Sequence, residues 1–252
     1  MYVTRKSLWV SAVIIGVILG IFAVVNDTYI SVWTMLPLTF GVWLFFLIAI
    51  VWSSIKKQRD IIKILMVEGQ PELYLQKMKV LKDQIRYDKY KRLIELNIAT
   101  GLIYEGNVES ALEIIENLSL RGFSPMHKGV YYNNLAFAYL MNNRIDESQE
   151  IFKKHIGEML AADRDPTVKS CARCTQAILD YKQNRNNVAL ETLERLLQKD
   201  LMPLQKAVVL YYKGLILKEI GKGDVSQVFR DSASFAGNTI FKNMSNKALN
   251  SL

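Results

Sequence analysis

The sequence predicts an all-α fold in which a two-helix transmembrane hairpin precedes an α-solenoid of about five helical-hairpin repeats. Three observations lead to this prediction. Two long segments near the N-terminus carry no charge, glycine or asparagine recurs at a spacing close to 37 residues, and small residues recur in pairs around those positions. A chain of 252 residues is long enough to form both parts.

The two uncharged segments are residues 8–25 and 30–54. The first has 18 residues, about 27 Å as a helix, which is close to the thickness of a bilayer core. The second has 25 residues and can span a bilayer with tilt. A signal peptide is the rival interpretation of the first segment, but no small-residue cleavage site follows it. We therefore predict a transmembrane hairpin over residues 1–54 and a separate domain over residues 55–252.

Basic residues flank both ends of this hairpin, whereas its connecting turn holds only Asp27. The flanking residues are Arg5, Lys6, Lys56, Lys57 and Arg59. The positive-inside rule therefore puts the N-terminus and the second domain in the cytoplasm. We expect an integral membrane protein, and we predict the bacterial plasma membrane as its location.

The domain after the hairpin is basic, because residues from Lys56 onward include 30 Lys and Arg against 23 Asp and Glu. Such an excess suits a domain that lies beside an anionic leaflet. Nucleic acid is the other partner class that an excess of positive charge favours. Because the basic residues are spread along the chain without a nucleic-acid motif, we predict a lipid bilayer as a partner and no nucleic acid.

Five turn-like positions set the repeat, and their spacings are 37, 37, 41 and 37 residues. They are Gly69, Gly106, Asn143, Asn184 and Gly221. Glycine and asparagine tolerate the left-handed backbone conformation that a tight turn between two helices requires. A fixed period of this length is typical of a solenoid.

Small residues on both sides of the turns indicate where two helices of one repeat cross closely. The pairs are Ala99 with Ala111, Ala136 with Ser148, Ala177 with Ala189, and Gly214 with Ser226, while Tyr74 takes the second small position in the first copy. Residues 238–249 predict a last helix that caps the open end of the solenoid. Its polar side consists of Lys242, Asn243, Asn246 and Lys247.

These residues resemble the tetratricopeptide repeat (TPR) family, which alternates helices A and B in units of about 34 residues. The matching residues are Ala99, Gly106, Ala111 and Leu118 in one copy and Tyr132, Leu135, Ala136, Tyr139, Ser148 and Phe152 in the next. The resemblance covers most of residues 55–252. The longer period and the absence of a regular proline after helix B leave related helical-hairpin repeats as the alternative.

The resemblance implies a protein-binding module whose ligand lies along the concave face of the A helices. By alignment, this groove contains Leu93, Leu96, Thr100, Val130, Asn133, Phe137, Leu140 and Met141. It is mostly apolar and would suit an amphipathic or extended apolar segment of a protein partner. The alternative is that neighbouring helices of a tight superhelix bury these residues. We expect a membrane-anchored adaptor that holds a protein partner at the cytoplasmic face.

Gly16 and Gly20 form a G-x-x-x-G motif in the first predicted span. Two glycines at this spacing let another helix approach closely. That helix is the second span, a second copy of this chain in a homo-oligomer, or another membrane subunit. The last case gives the alternative function, an accessory or regulatory subunit of a larger membrane complex such as a transporter or secretion machinery.

The sequence contains no catalytic motif, so we predict neither an enzyme nor a bound cofactor. Cys171 and Cys174 form a C-x-x-C, and His127 and His155 are the two histidines. These four residues could in principle hold zinc, but no second metal-ligand spacing supports such a site, and we predict no metal. Such cysteines usually pack as small apolar groups. A redox role requires a βαβ context that the sequence lacks.

Overall fold

The computed structural model describes Ile14, Gly16, residues 32–160 and residues 166–252, although in the first part of the helix that begins at Val32 it describes only some side chains. These residues form helices joined by turns and short loops, and none of them lies in a β-strand. The all-α prediction is therefore confirmed for the part of the chain that is described. The chain divides after Asp60 into two compact units.

Eleven helices lie in the described residues, numbered here in chain order. They are α1 (Val32–Met66), α2 (Pro71–Gln84), α3 (Asp88–Glu105), α4 (Val108–Glu116), α5 (Pro125–Met141), α6 (Ile145–Leu160), α7 (Pro166–Lys182), α8 (Asn186–Leu197), α9 (Pro203–Ile220), α10 (Val225–Phe235) and α11 (Ile240–Leu249).

Helix α1 runs without a break from an uncharged half into a basic half, and its last residues belong to the second unit, where Ile61 and Leu65 are buried. Within the described residues, no helix is both long enough and apolar enough to cross a membrane. The two-span hairpin predicted over residues 8–25 and 30–54 therefore gains no support from the structure. The first of these spans lies outside the described residues except for Ile14 and Gly16.

The five predicted repeat turns are confirmed by their backbone conformation, because each turn residue has a positive φ and lies between two consecutive helices. The φ angles are 61° at Gly69, 102° at Gly106, 58° at Asn143, 61° at Asn184 and 66° at Gly221. Among the described residues, Asn143 and Asn184 are the non-glycine residues with positive φ. The period read from the sequence therefore marks a structural repeat.

Most of the predicted small residues lie at close helix crossings. Six of them are fully buried, namely Ala99, Ala111, Ala136, Ser148, Ala177 and Ala189. Gly214 of α9 also lies at a crossing, since a Cβ added there would come within 2.6 Å of the ring of Phe229. Ser226 departs from the prediction because it is only half-buried, while Phe229 of the same helix is fully buried.

The first repeat accommodates a tyrosine at its small position through a glycine in the next repeat. Tyr74 of α2 is buried, and a Cβ added to Gly101 of α3 would lie 2.8 Å from its ring. The missing side chain of Gly101 therefore provides the space that Tyr74 occupies.

Helices α3, α5, α7 and α9 pack side by side and form an inner row, while α4, α6 and α8 contact their chain neighbours. Hydrogen bonds tie the inner helices together. The amide of Asn134 donates to the Thr100 hydroxyl at 2.7 Å, and the Thr175 hydroxyl donates to Asn133 Oδ1 at 2.8 Å. These bonds satisfy polar groups that the packing removes from water, as burial requires.

The C-terminal helix closes the repeats instead of only capping their end. Helix α11 has the predicted polar side exposed, but it packs against α3 as well as α9 and α10. The turn before it meets the first repeat turn, where the amide of Asn238 donates to the carbonyl of Gly69 at 2.7 Å. An open solenoid end was therefore the wrong expectation, because the chain folds back onto its own first repeats.

Candidate functional site

The predicted groove residues lie on α3 and α5 and face other helices of the same chain. Leu96, Asn133, Phe137 and Leu140 are buried, and Leu93, Thr100, Val130 and Met141 are half-buried. Their polar atoms form hydrogen bonds within the chain. The Met141 sulfur, for example, accepts a hydrogen bond from the Tyr212 hydroxyl at 3.6 Å. This packing agrees with the alternative of a tight superhelix. Contact between these residues and a partner stays a prediction.

Phe241 of α11 fills the inner face. Its side chain is fully buried and meets rings from three inner helices. The centroid distances from Phe241 are 6.2 Å to Tyr104, 6.4 Å to Phe137, 5.7 Å to Tyr211 and 6.4 Å to Tyr212. We call these five residues the aromatic cluster. Helix α11 therefore occupies the place that a ligand of the inner face would take.

Helix α11 also has the amphipathic character expected of such a ligand. Phe241 and Ser245, four residues apart, are its buried residues, and its opposite side is polar and exposed. The Ser245 hydroxyl bonds to the Ser232 hydroxyl at 2.8 Å, and the Lys218 ammonium donates to the Ser251 carbonyl at 3.1 Å just past the end of the helix. One aromatic anchor and a few polar bonds therefore hold α11 in place. Sequence reasoning missed this arrangement, and the lone phenylalanine in a polar terminal helix was the available signal.

The two cysteines lie beside the aromatic cluster. Cys174 is buried, and burial raises the pKa of its thiol. Cys171 accepts a hydrogen bond from the Gln205 amide at 3.0 Å. The His127 ring is hydrogen-bonded through Nδ1 to the Ser124 hydroxyl, and the His155 ring stacks on the Tyr132 ring with 3.6 Å between their centroids. In the residues that the structure describes, no three His, Cys, Asp or Glu side chains are grouped as metal ligands, so the zinc set considered above does not assemble there.

Two tyrosines of the inner row each hold a glutamate of a neighbouring helix near the repeat turns. The Tyr139 hydroxyl donates to Glu116 at 2.9 Å, and the Tyr181 hydroxyl donates to Glu219 at 2.6 Å. Burial, followed by the hydrogen bond to Glu116, raises the pKa of Tyr139 to about 12. Burial and Glu219 likewise raise the pKa of Tyr181. These bonds lock adjacent repeats together while both hydroxyls stay protonated.

The buried tyrosines predict a loss of stability at high pH. Burial also raises the pKa values of Tyr104 and Tyr212 above the ordinary 10.0. Because these hydroxyls ionise more easily in the unfolded chain, the free energy of unfolding falls as pH rises above about 10. We expect tyrosinate absorbance to rise together with the loss of helical circular dichroism. Tyrosine ionisation that is complete while the helices remain intact would contradict this prediction.

Comparisons with known proteins give no family for this chain. No family model, curated protein or solved structure matches it. The resemblance to tetratricopeptide repeats therefore rests on the residues quoted above.

The first unit exposes large apolar side chains along α1. Phe40 is 63% exposed, Phe45 is 68% exposed and Trp52 is 67% exposed, and Ile48 between them is also exposed. Apolar surface of this extent normally marks contact with a membrane or another protein. Gly16 is exposed as well, and among the described residues no atom lies within 4 Å of where its Cβ would be. Gly20 lies outside the described residues.

Proposed function

We propose that this chain is a non-enzymatic, membrane-attached helical-repeat protein that holds a protein partner at the cytoplasmic face of the membrane. The observation that carries the proposal is the uncharged half of α1, whose aromatic and aliphatic side chains are exposed to water in the isolated chain. The helical hairpins, with their TPR-like turns and small residues, support the protein-binding part.

A lipid bilayer is the environment that best suits the exposed apolar side of α1. Phe40, Phe45 and Ile48 point in directions that together cover more than a third of the helix circumference, at about 100° per residue. A helix that is apolar over so wide an arc is normally surrounded by lipid or by protein. The charged residues begin at Lys56, as expected where a cytoplasmic flank leaves the bilayer. The predicted hairpin of residues 1–54 would supply this attachment.

The chemistry of α11 indicates which partner the inner face would accept. An amphipathic helix with one aromatic residue in the position of Phe241 would meet the same rings of α3, α5 and α9. Such a partner would have to replace α11, because the face is already filled. Partners that leave α11 in place would instead meet the exposed sides of the outer helices.

Membrane attachment is tested by fractionating the full-length chain in alkaline carbonate. We expect it to stay with the membrane pellet, and we expect Phe45→Lys with Ile48→Lys to shift it toward the supernatant, because a charge at the centre of a bilayer costs about 3 kcal/mol per residue. Val188→Lys is the matched control, since Val188 is an exposed apolar residue of the second unit, in α8. Release of the unaltered chain by carbonate would refute the attachment.

The partner is tested by placing a photo-crosslinking residue at Val130 or at Ile14 in living cells. The adaptor proposal expects Val130 to form an adduct with another protein. The alternative, an accessory subunit assembled through Gly16 and Gly20, is favoured by the open space around Gly16 and expects the adduct from Ile14. Adducts at Val130 that stay within this chain would count against use of the inner face.

A further inference from the structure

Basic residues collect at the N-terminal ends of the inner helices, where the helix dipole makes them unfavourable. Helix α3 carries Lys89, Lys91 and Arg92 within its first five residues, and α5 carries Lys128 at its fourth. A helix N-terminus is partially positive and normally attracts acidic residues, yet the first turn of α5 has none. Positive side chains and helix N-termini together create an edge that favours anions.

The start of α3 and the loop before α5 lie together and form one surface. An Arg92 guanidinium nitrogen of α3 donates to the carbonyl of Arg121 in that loop at 2.8 Å. The side chain of Lys89 lies 3.6 Å from the Cβ position of Gly122. Lys89 also acts on His127, whose pKa is lowered first by burial and then by this ammonium group. We call the following residues the basic edge: Arg86, Lys89, Lys91, Arg92, Arg121 and Lys128.

The positive charge of the basic edge is largely uncompensated. Arg86, Lys89 and Arg121 are exposed, and none of them forms an ion pair with a described residue. The acidic residues near this edge are Asp83 and Asp88 beside the first loop and Glu158, which acts on Lys128 but is hydrogen-bonded to His155. Among the residues that the structure describes, the six basic residues of the edge therefore outnumber these three acidic ones.

Exposed aromatic and aliphatic side chains accompany the charge. Tyr87 is 68% exposed in the loop between Arg86 and Asp88, and its ring meets the ring of Tyr90 edge-on at 6.4 Å. Val80 of α2 is 56% exposed. Tyrosine beside lysine and arginine is typical of protein surfaces at the headgroup level of a bilayer. Because the proposed attachment through α1 would keep the second unit within reach of a bilayer, lipid is the partner that we favour over an acidic protein or nucleic acid.

We propose that the basic edge docks on the anionic phospholipid headgroups of a bilayer. Phosphates meet the ammonium and guanidinium groups of Lys89 and Arg121, and the ring of Tyr87 enters the interface. Docking adds to the attachment through α1 and in that respect rests on the proposed function, because attachment keeps the second unit within reach of lipid. Each basic residue near an anionic surface strengthens binding about fivefold.

The test measures the amine reactivity of single lysines by mass spectrometry, with the full-length chain in nanodiscs. One set of discs contains phosphatidylcholine and the other contains equal parts of phosphatidylcholine and phosphatidylglycerol. We expect Lys89 and Lys91 to react about fivefold more slowly in the anionic discs, and high salt to remove the difference. Lys222 and Lys247, which are exposed elsewhere in the second unit, serve as controls and keep their reactivity.

Charge reversal at two other residues of the basic edge completes the test. Arg86→Glu with Arg121→Glu should abolish the protection of Lys89, whereas Lys222→Glu with Lys247→Glu should leave it intact. Equal reactivity of Lys89 in the two kinds of disc would overturn the proposal. Protection by an RNA oligonucleotide but not by anionic discs would also overturn it and would assign the edge to nucleic acid.

Failure of attachment and failure of docking give different results. If the chain does not enter nanodiscs, attachment through α1 fails, and flotation with vesicles of the same two compositions then tests the edge alone. Flotation with the anionic vesicles only would support docking. Flotation with neither kind of vesicle would refute it.

Discussion

Phe241→Ala should lower the free energy of unfolding by about 3–5 kcal/mol, because it removes a fully buried ring from the aromatic cluster. The loss should also release α11, since Phe241 is its one large anchor. We expect hydrogen exchange in α11 to rise to the rate of a frayed helix, while the inner helices keep most of their protection. Equilibrium unfolding in denaturant measures the first effect and exchange mass spectrometry the second.

Tyr87→Ala is the matched control, because it removes an exposed aromatic side chain and should change stability by no more than about 0.5 kcal/mol. A loss below about 1 kcal/mol for Phe241→Ala would mean that the cluster collapses around the vacancy or that α11 is not docked in solution. The same variant bears on function. If α11 is what excludes a partner from the inner face, the photo-crosslinked adduct at Val130 should increase in Phe241→Ala.

Gly237→Ala should destabilise the chain by about 3 kcal/mol, because it combines two costs. Gly237 has a φ of 59°, a conformation that costs an L-residue about 1–2 kcal/mol. Its added Cβ would also lie 2.6 Å from the Cα of Gly69, where backbone meets backbone and cannot yield without moving the contact. We expect the turn before α11 to separate from the first repeat turn.

Gly221→Ala measures the first of these two costs, the conformational one, without the second. Gly221 has a φ of 66°, but no atom of the described residues lies within 4 Å of its Cβ position. This control should therefore lose only the conformational part, about 1–2 kcal/mol. The difference between the free energies of unfolding of Gly237→Ala and Gly221→Ala measures the cost of disturbing the backbone contact. Equal losses would show that the contact between Gly237 and Gly69 contributes nothing to stability.

Closure of the repeats should also change how the second unit unfolds. In an open solenoid each repeat contacts only its neighbours, so unfolding can begin at either end. Here the turn before α11 contacts the first repeat turn and α11 contacts α3, so loss of one end removes packing from the other. Phe241→Ala and Gly237→Ala should therefore reduce the cooperativity of unfolding as well as the stability.

Local features of this fold could be predicted because the sequence carries them within a few residues. Gly106 and Asn143 mark turns since a positive φ selects glycine or asparagine at that position. Ala136 and Ser148 mark a helix crossing since larger side chains would not fit between the two helices. The last helix was predicted over residues 238–249 and is observed at Ile240–Leu249, with its polar side as expected.

Contacts between distant parts of the chain could not be predicted. Phe241 packs on Tyr104, which lies 137 residues earlier, and no local pattern joins them. The alignment assumed an open concave face, so it treated Phe137 and Leu140 as accessible although helices of the same chain bury them. The basic residues of the edge were likewise interpreted as spread charge, because Arg92 and Arg121 come together only when the start of α3 packs against the loop before α5.

The sequence by itself determined the helices, the period and the five left-handed turns, because each depends on the conformational preference of a residue and its near neighbours. It also determined the uncharged N-terminal segments on which the proposed membrane attachment rests. Only the tertiary structure decided that α11 fills the inner face and that the repeats close on themselves. Those outcomes depend on contacts between residues far apart in the chain, such as Gly237 and Gly69, which no single stretch of sequence specifies.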